Sequence, residues 1–251
     1  MAANSADVSG GEDSMVCNIA VVIALGIEKA SLQTELDAAA ASPLSLAQSG
    51  PGADAAARAA RAAIDAGATA LVSWGLAGGL EPQIAPGTVV IPHRLVTADG
   101  ASVPMDADWR ARLVSRLSED FNVHEGDVFV ADRVLGTPRA KARAALETGG
   151  VAVDMESAAV AAAAVRAGLP VVTVRVVADC LTDTLPAHID QWIGPTGRRR
   201  AAPIVKAIFR PSQWRNLIRL ARRYKTADRV LTRLAQRLVP SSFEFARSRP
   251  L

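Results

Sequence analysis

Residues 151–183 read VAVDMESAAVAAAAVRAGLPVVTVRVVADCLTD, and the pattern in this stretch decides the fold. Val151–Val153 is a short apolar run. Asp154 stands at a helix N-cap position, and the alanine-rich segment Met155–Ala167 follows as a predicted helix. Gly168 and Pro170 end it in the favoured order, glycine just past the last turn and proline soon after. Val171–Val177 is almost entirely β-branched, as expected of a strand buried on both faces. The stretch therefore reads as a βαβ unit. Asp154 and Glu156 fall where its first strand gives way to the helix, and Asp179 falls where its second strand ends. In an open α/β sheet both positions face the crevice outside the carboxyl ends of the strands, where ligands bind.

Outward from this unit, strands and helices alternate. Cys17–Leu25 is a predicted first strand, and Gly26-Ile27-Glu28-Lys29 is the turn into a helix, which puts Glu28 and Lys29 at the carboxyl edge of the sheet. A loop over 41–52 holds a short strand near Leu44–Ala47. Ala53–Ala66 is helical and stops at Gly67, and Thr69–Trp74 is the next strand. Gly75-Leu76-Ala77-Gly78-Gly79-Leu80 then reads as a glycine-rich turn, able to take positive φ or let a ligand approach the backbone. Thr88–Ile91 and Leu95–Thr97 are expected to form a strand pair. Asp106–Leu117 is helical, Gly126–Val130 is a strand, and Pro138–Thr148 is helical. Such alternation predicts a three-layer α/β/α domain with a mixed central sheet covered by helices on both faces.

The 251 residues suit one large domain. The expected division is a disordered N-terminus over 1–14, the α/β domain over 15–197 and an Arg-rich helical tail over 198–251. Cys17 and Cys180 have no metal-ligand spacing, and His93, His124 and His188 form no local cluster, so neither a disulfide framework nor a metal is expected. Met15–Ile27 lacks the basic flank and small-residue cleavage site of a signal peptide, and no run reaches the ~18 apolar residues of a bilayer span. The expected location is the cytoplasm, with peripheral contact to the inner membrane face.

That contact is suggested by the charge distribution. The formal net charge is only +3, yet residues 198–238 hold thirteen Lys/Arg against the single acid Asp228. The body is therefore acidic and the tail basic. Pro203–Phe209 and Ser212–Leu238 look helical. In the second, Trp214, Leu217, Ile218, Ala221, Tyr224, Ala227, Leu231, Leu234 and Leu238 make an apolar face, and Arg215, Arg219, Arg222, Arg229, Arg233 and Arg237 a basic one. Two readings stand: a terminal helix docked on the domain, or an interfacial helix resting on anionic lipid. No aromatic platform or reader motif accompanies the charge, so nucleic acid is not expected.

Taken together, Gly75–Leu80, the pair Met155-Glu156 opening a helix and Asp179 ending the next strand resemble the nucleoside phosphorylase/nucleosidase superfamily over about residues 17–185. More narrowly, SWGLAGGLEPQIAPGTVVIP, AVDMES and the Arg-rich tail resemble the hopanoid-associated phosphorylases, which are assigned to removing adenine from adenosylhopane. The resemblance implies a homo-oligomer acting on an adenine nucleoside with a lipid moiety; the alternatives are a nucleosidase for methylthioadenosine- or adenosylhomocysteine-type substrates and a non-catalytic nucleoside-binding protein. It also implies no cofactor, with inorganic phosphate as the alternative co-substrate to water.

The residue types suit that chemistry. Breaking a C1′–N9 bond builds positive charge on the ribose and negative charge on the purine, and a carboxylic acid kept protonated by a dry pocket can relieve the second at N7. Asp179 is the candidate general acid; its structural alternative is a cap or loop-stabilising role. The resemblance makes Glu156 the acceptor for the ribose 2′- and 3′-hydroxyls, with Met155 packed on the sugar or base and Ala77, Gly78 and Gly79 along the nucleoside. The alternative for Glu156 is an acid favoured by the helix dipole. Asp154 is read as a cap. Glu28 falls where hydrolytic relatives carry the Glu that activates water. In phosphorolytic relatives an arginine and a serine flank the glycine turn, but here Ser73 and Leu76 stand in those places. Gly75, Lys29 and Arg94 are the substitute phosphate-binding candidates. Arg175, or the N–H groups of Ala77–Gly79, are further ways to hold an oxyanion.

Overall fold

A computed structural model describes residues 18–39, 42–186 and 214–245. The chain runs β1 (Ile19–Ile23), α1 (Gly26–Ala38), β2 (Leu44–Gln48), α2 (Ala53–Asp65), β3 (Ala70–Gly79), β4 (Val89–Val90), β5 (Arg94–Thr97) and β6 (Ser102–Pro104). It continues with α3 (Ala107–Leu117), β7 (Val123–His124), β8 (Val128–Val130), α4 (Pro138–Thr148), β9 (Ala152–Asp154), α5 (Ser157–Arg166) and β10 (Val171–Asp179). The last described segment holds α6 (Trp214–Leu238) and a 3-10 turn, Ser242–Glu244. The expectations for residues 1–14, Cys17, His188, Arg215 and a helix over 203–209 concern positions whose side chains or backbone lie outside the described residues.

The strands form one mixed, ten-stranded sheet with β3 at its axis. Side chains alternate across a strand with period two, and the two cores follow that alternation. Ile19, Val21 and Ile23 of β1, with Val172, Val174 and Val176 of β10, face a core completed by α1, α3 and α6. Ala20, Val22, Val171 and Val177 face the other, closed by the small residues of α2 and α5: Ala56, Ala60, Val160, Ala161 and Ala164. The layers are therefore α/β/α, and the abundance of alanine is what lets α2 and α5 lie close to the sheet and to each other.

The structure departs from several sequence expectations. The expected βαβ unit exists in chain order, but β3 lies between its strands, parallel to β10 and antiparallel to β9. The glycine stretch is not a turn: it carries β3 on to Gly79, and none of Gly75, Gly78 or Gly79 has positive φ. Nor do the two short strands after Pro86 pair with each other. β4 joins β10 and β7, whereas β5 joins β6 and β8. Helix α5 begins at Ser157, two residues later than expected, because Met155 and Glu156 form a bend. The short strands β6 and β7 were not anticipated. By contrast α4 spans the predicted residues, with the Thr137 hydroxyl capping Ala140 N–H at 3.2 Å.

Helix α6 is docked. Ala227, Leu231, Leu234, Ala235 and Leu238 are completely buried in the same core as β1, β3 and β10. Phe243 follows them in, edge-on to Trp74 with 5.6 Å between ring centroids, and its carbonyl accepts from Trp109 Nε1 at 2.7 Å. The apolar stripe is incomplete, however: Ile218 and Ala221 in the first half of the helix are exposed.

Candidate active site

On one edge β3 pairs with β10 from Leu71 to Gly78. On its other edge Ala70–Ser73 pair with β1, whereas Gly78 and Gly79 pair with β9. The sheet forks between those two pairings, and the backbone there needs partners. Glu28 supplies them. It is the third residue of α1, a position from which a glutamate reaches back to the helix start. Its Oε2 accepts from the N–H groups of Ala24 (2.9 Å) and Leu25 (2.7 Å), and its Oε1 accepts from Leu76 N–H at 3.0 Å across the fork. Gly75 must be glycine here, since a Cβ would stand 2.8 Å from Glu28 Cδ. Burial raises the Glu28 pKa above the ordinary carboxylate value, against the opposing pull of those N–H groups and of Arg175.

Arg175 lies opposite Gly75 on β10 and is buried. Its Nε and Nη2 both bond Asp154 Oδ2, at 2.7 and 2.6 Å. Nη2 also donates to Ser73 Oγ (2.7 Å), and Nη1 to the Val174 carbonyl (3.1 Å). Asp154 in turn accepts from the Ser157 N–H and hydroxyl. The N-cap residue of α5 is thus Glu156 and not Asp154 as expected; Asp154 still accepts the first amide of the helix, and its larger role is to neutralise a buried arginine.

Glu156 sits in the bend between β9 and α5, with its Oε1 accepting Gly52 N–H at 2.8 Å. That amide is the N-cap of α2, where Gly52 takes φ +98°. Burial first, then the neighbouring Asp154, pushes the Glu156 pKa up to about 7. Glu28, Ser73, Leu76, Glu156 and Arg175 line one cavity with about 10 Å³ of room for a water-sized molecule. Ser49, Ala56 and Val160 close it from the helix side.

Asp179 lies further along the same strands. A bulge at Ala178 draws it level with Gly78, and bulges beside active sites commonly re-aim a side chain in this way. Gly78 again leaves the room needed: a Cβ there would stand 3.3 Å from Asp179 Oδ1 and 3.2 Å from Val153. Asp179 is 9% exposed, and burial raises its pKa, with Lys141 and then Arg223 pulling it down. Lys141 Nζ contacts Asp179 Oδ2 and donates to the Cys180 carbonyl at 2.7 Å.

Of the expected site residues, the structure gathers Glu28 and Glu156 on one cavity, with Gly75 and Gly78 pressed against the carboxylates of Glu28 and Asp179. Met155 is half-buried beside Glu156. Ala77 and Gly78 are engaged in strand pairing with Val177 and Asp179, and Gly79 pairs with Ala152. Two candidate phosphate ligands do not join the group. Lys29 is exposed, because one residue further along α1 turns it away from the sheet. Arg94 opens β5 at its far end, three residues before Thr97, which shares a register with Val130 and Asp154; it pairs with Asp127 at 2.7 Å. Among the described residues no three His, Cys, Asp or Glu side chains converge to hold a metal ion. Sequence reading missed Lys141 and the Gly52 amide. Lys141 left one signal, a lone cation on the apolar face of α4 with Ala144, while Gly52 left none.

The fold has known relatives. Residues 29–210 match the phosphorylase superfamily. The chain belongs to that superfamily and is an enzyme of the nucleoside phosphorylase and nucleosidase class. The match begins one residue after Glu28. The fold resembles the 5′-methylthioadenosine/S-adenosylhomocysteine nucleosidase of Helicobacter pylori, with a TM-score of 0.68 and 14% identity over 92% of this chain and 99% of that one. The Campylobacter jejuni nucleosidase of the same name gives 0.68 and 15% over 91% and 100%. The H. pylori futalosine hydrolase gives 0.62 and 17% over 67% and 87%. No curated protein matches the chain by sequence.

Proposed function

We propose that the enzyme hydrolyses the C1′–N9 bond of an adenine nucleoside, and that this nucleoside is adenosylhopane. One observation carries the reading: two carboxylates, Glu28 and Glu156, face one buried cavity, and a third, Asp179, stands three β3 residues further on. At ~3.3 Å per residue that separation is about 10 Å, enough to place a ribose at one end and a purine at the other. As the bond breaks, its electron pair stays on the base and Asp179 delivers a proton to N7. Glu156 accepts from the ribose hydroxyls with the oxygen that does not hold Gly52. A water in the cavity gives its proton to Glu28 and its oxygen to C1′. Glu28 and Asp179 are both raised by burial toward the pH at which each must work, the one as base and the other as acid.

Water is favoured over inorganic phosphate because the cations named as phosphate ligands have other engagements. Arg175 is bound to Asp154, Ser73 and Val174, Arg94 to Asp127, and Lys29 faces solvent. The bulky apolar substituent is supported by an open groove of about 980 Å³ between β5, β8 and α4, where Val96, Phe129 and Leu135 lie beside the charged Asp132, Arg133 and Arg143. A membrane-drawn substrate is supported by Arg222, Lys225 and Arg229, exposed on α6 with Ile218. Among the described residues no helix is long and apolar enough to cross a membrane. Flotation with anionic liposomes, compared with R222E/K225E/R229E, checks that contact: equal flotation removes it. The whole-length likeness to methylthioadenosine/adenosylhomocysteine nucleosidases favours a second reading, the same reaction on those smaller nucleosides.

The test is adenine release from adenosylhopane in detergent and, in parallel, from methylthioadenosine, with and without phosphate. Phosphate-independent release from adenosylhopane, lost in Asp179→Asn and Glu28→Gln, is the expected result. A strict phosphate requirement would overturn hydrolysis, and cleavage of methylthioadenosine alone would select the second reading.

A further inference from the structure

Lys141 is 1% exposed, on the inward side of α4, and makes two contacts, to Asp179 Oδ2 and to the Cys180 carbonyl. A buried ammonium is costly unless paired, so its place against one residue and the next is specific. We propose that Lys141 is the positioning residue for Asp179, anchored on the Cys180 carbonyl so that its ammonium holds Oδ2, leaves Oδ1 against Gly78, and sets the pH at which the acid holds its proton. This inference rests on Asp179 being the general acid.

Among the described residues the charges around Asp179 are few. Lys141 faces it from α4 and Arg223 from α6. Further along its own segment, Asp183 accepts Cys180 N–H at 2.8 Å and pairs with Arg223 and, at 3.6 Å, with Arg219. Arg223 is thus largely neutralised by Asp183, which leaves Lys141 as the cation in direct contact. On β3 the facing residue is Gly78, which brings no charge.

The arrangement acts on the reaction through the product of proton transfer. When the C1′–N9 electron pair moves to the base, the proton leaves Asp179 for N7 and a carboxylate remains in a dry site. The Lys141 ammonium stabilises that carboxylate, so its attraction is stronger after transfer than before. Such differential stabilisation accelerates a step. Its consequence is that the acid loses its proton at lower pH than burial alone would dictate.

The test compares Lys141→Met and Lys141→Arg with the wild-type full-length chain. Carbon-13 NMR of carboxyl-labelled aspartate, assigned with Asp179→Asn, follows the Asp179 titration without substrate. Lys141→Met should raise its midpoint by about 1–3 pH units, the usual effect of removing an adjacent cation, and Lys141→Arg should restore most of the shift. In turnover, the alkaline limb of kcat/KM should move up by the same amount while the maximal kcat falls. An unmoved midpoint in folded Lys141→Met, or a Lys141→Arg that titrates like it, overturns the proposal. If the methionine variant does not fold, wild-type Lys141 Nζ must still report the Asp179 titration in nitrogen-15 spectra and lose that response in Asp179→Asn; its absence is equally fatal. Full activity in Asp179→Asn would instead refute the general-acid assignment, a result separable from the ligand-free titration.

Discussion

At the scale of the residue, Glu156 shows how burial turns one side chain into two quantities that can be measured. Its pKa, raised from 4.5 to about 7, means that between those values the native state holds a proton that the unfolded chain has released. Stability therefore falls as pH rises through that window. The full difference of about 2.5 units corresponds to roughly 3 kcal/mol at pH 8 and to almost nothing near pH 4.5. Glu156→Gln should accordingly be more stable than wild type at pH 8, by up to about 3 kcal/mol, and equal to it at pH 4.5, as read from urea unfolding. A variant less stable at both pH values would contradict this. The same ionisation affects substrate: a carboxylate accepts two hydroxyls better than its acid does, so binding should improve as pH rises through about 7. The carboxylate is unfavourable to the empty protein and useful to the loaded one.

At the scale of the element, β3 carries the site because it outlasts its neighbours. Ten residues long, it serves β1 with its first part and β9 with its last, and the Glu28 carboxylate occupies the interval. Gly75 is then a packing requirement, since none of Gly75, Gly78 and Gly79 has positive φ. Gly75→Ala would drive a methyl onto a carboxylate already held by three N–H groups. The expected loss is about 1–3 kcal/mol in thermal unfolding, together with a fall in kcat that leaves KM nearly unchanged. Undiminished kcat would show that Glu28 can move without consequence. The identity of this segment as strand was not legible because glycine is poor in strands by propensity. Here close approach of two carboxylates, at Gly75 and Gly78, outweighs that preference.

At the scale of the molecule, α6 is packed into the α/β/α domain. Its buried residues make it part of the core, so the basic stripe is the outer side of a structural helix. Leu234→Ala should cost about 2–5 kcal/mol, the usual range for a fully buried leucine, seen as a lower unfolding midpoint. A helix that merely trailed from the domain would leave that midpoint unchanged. Through Arg223 and Asp183 the same helix also grips the segment that follows Asp179, which ties the last part of the chain to the site.

The layers were legible in the sequence alone, as were the acids from which the chemistry is proposed. Continuous apolar, β-branched strands, alanine-rich helices and their glycine and proline stops predict α/β/α, because these signals are local and each is tied to a backbone geometry. The sequence also singled out Glu28, Glu156 and Asp179, since acids at strand ends are conspicuous beside apolar runs. That β9 and β10 flank β3, that Arg175 belongs to Asp154, and that Lys141 meets Asp179 across 38 residues emerges only in the assembled fold. Those facts depend on which segments become neighbours in space, and an ion pair leaves no periodicity in the chain for a local reading to find.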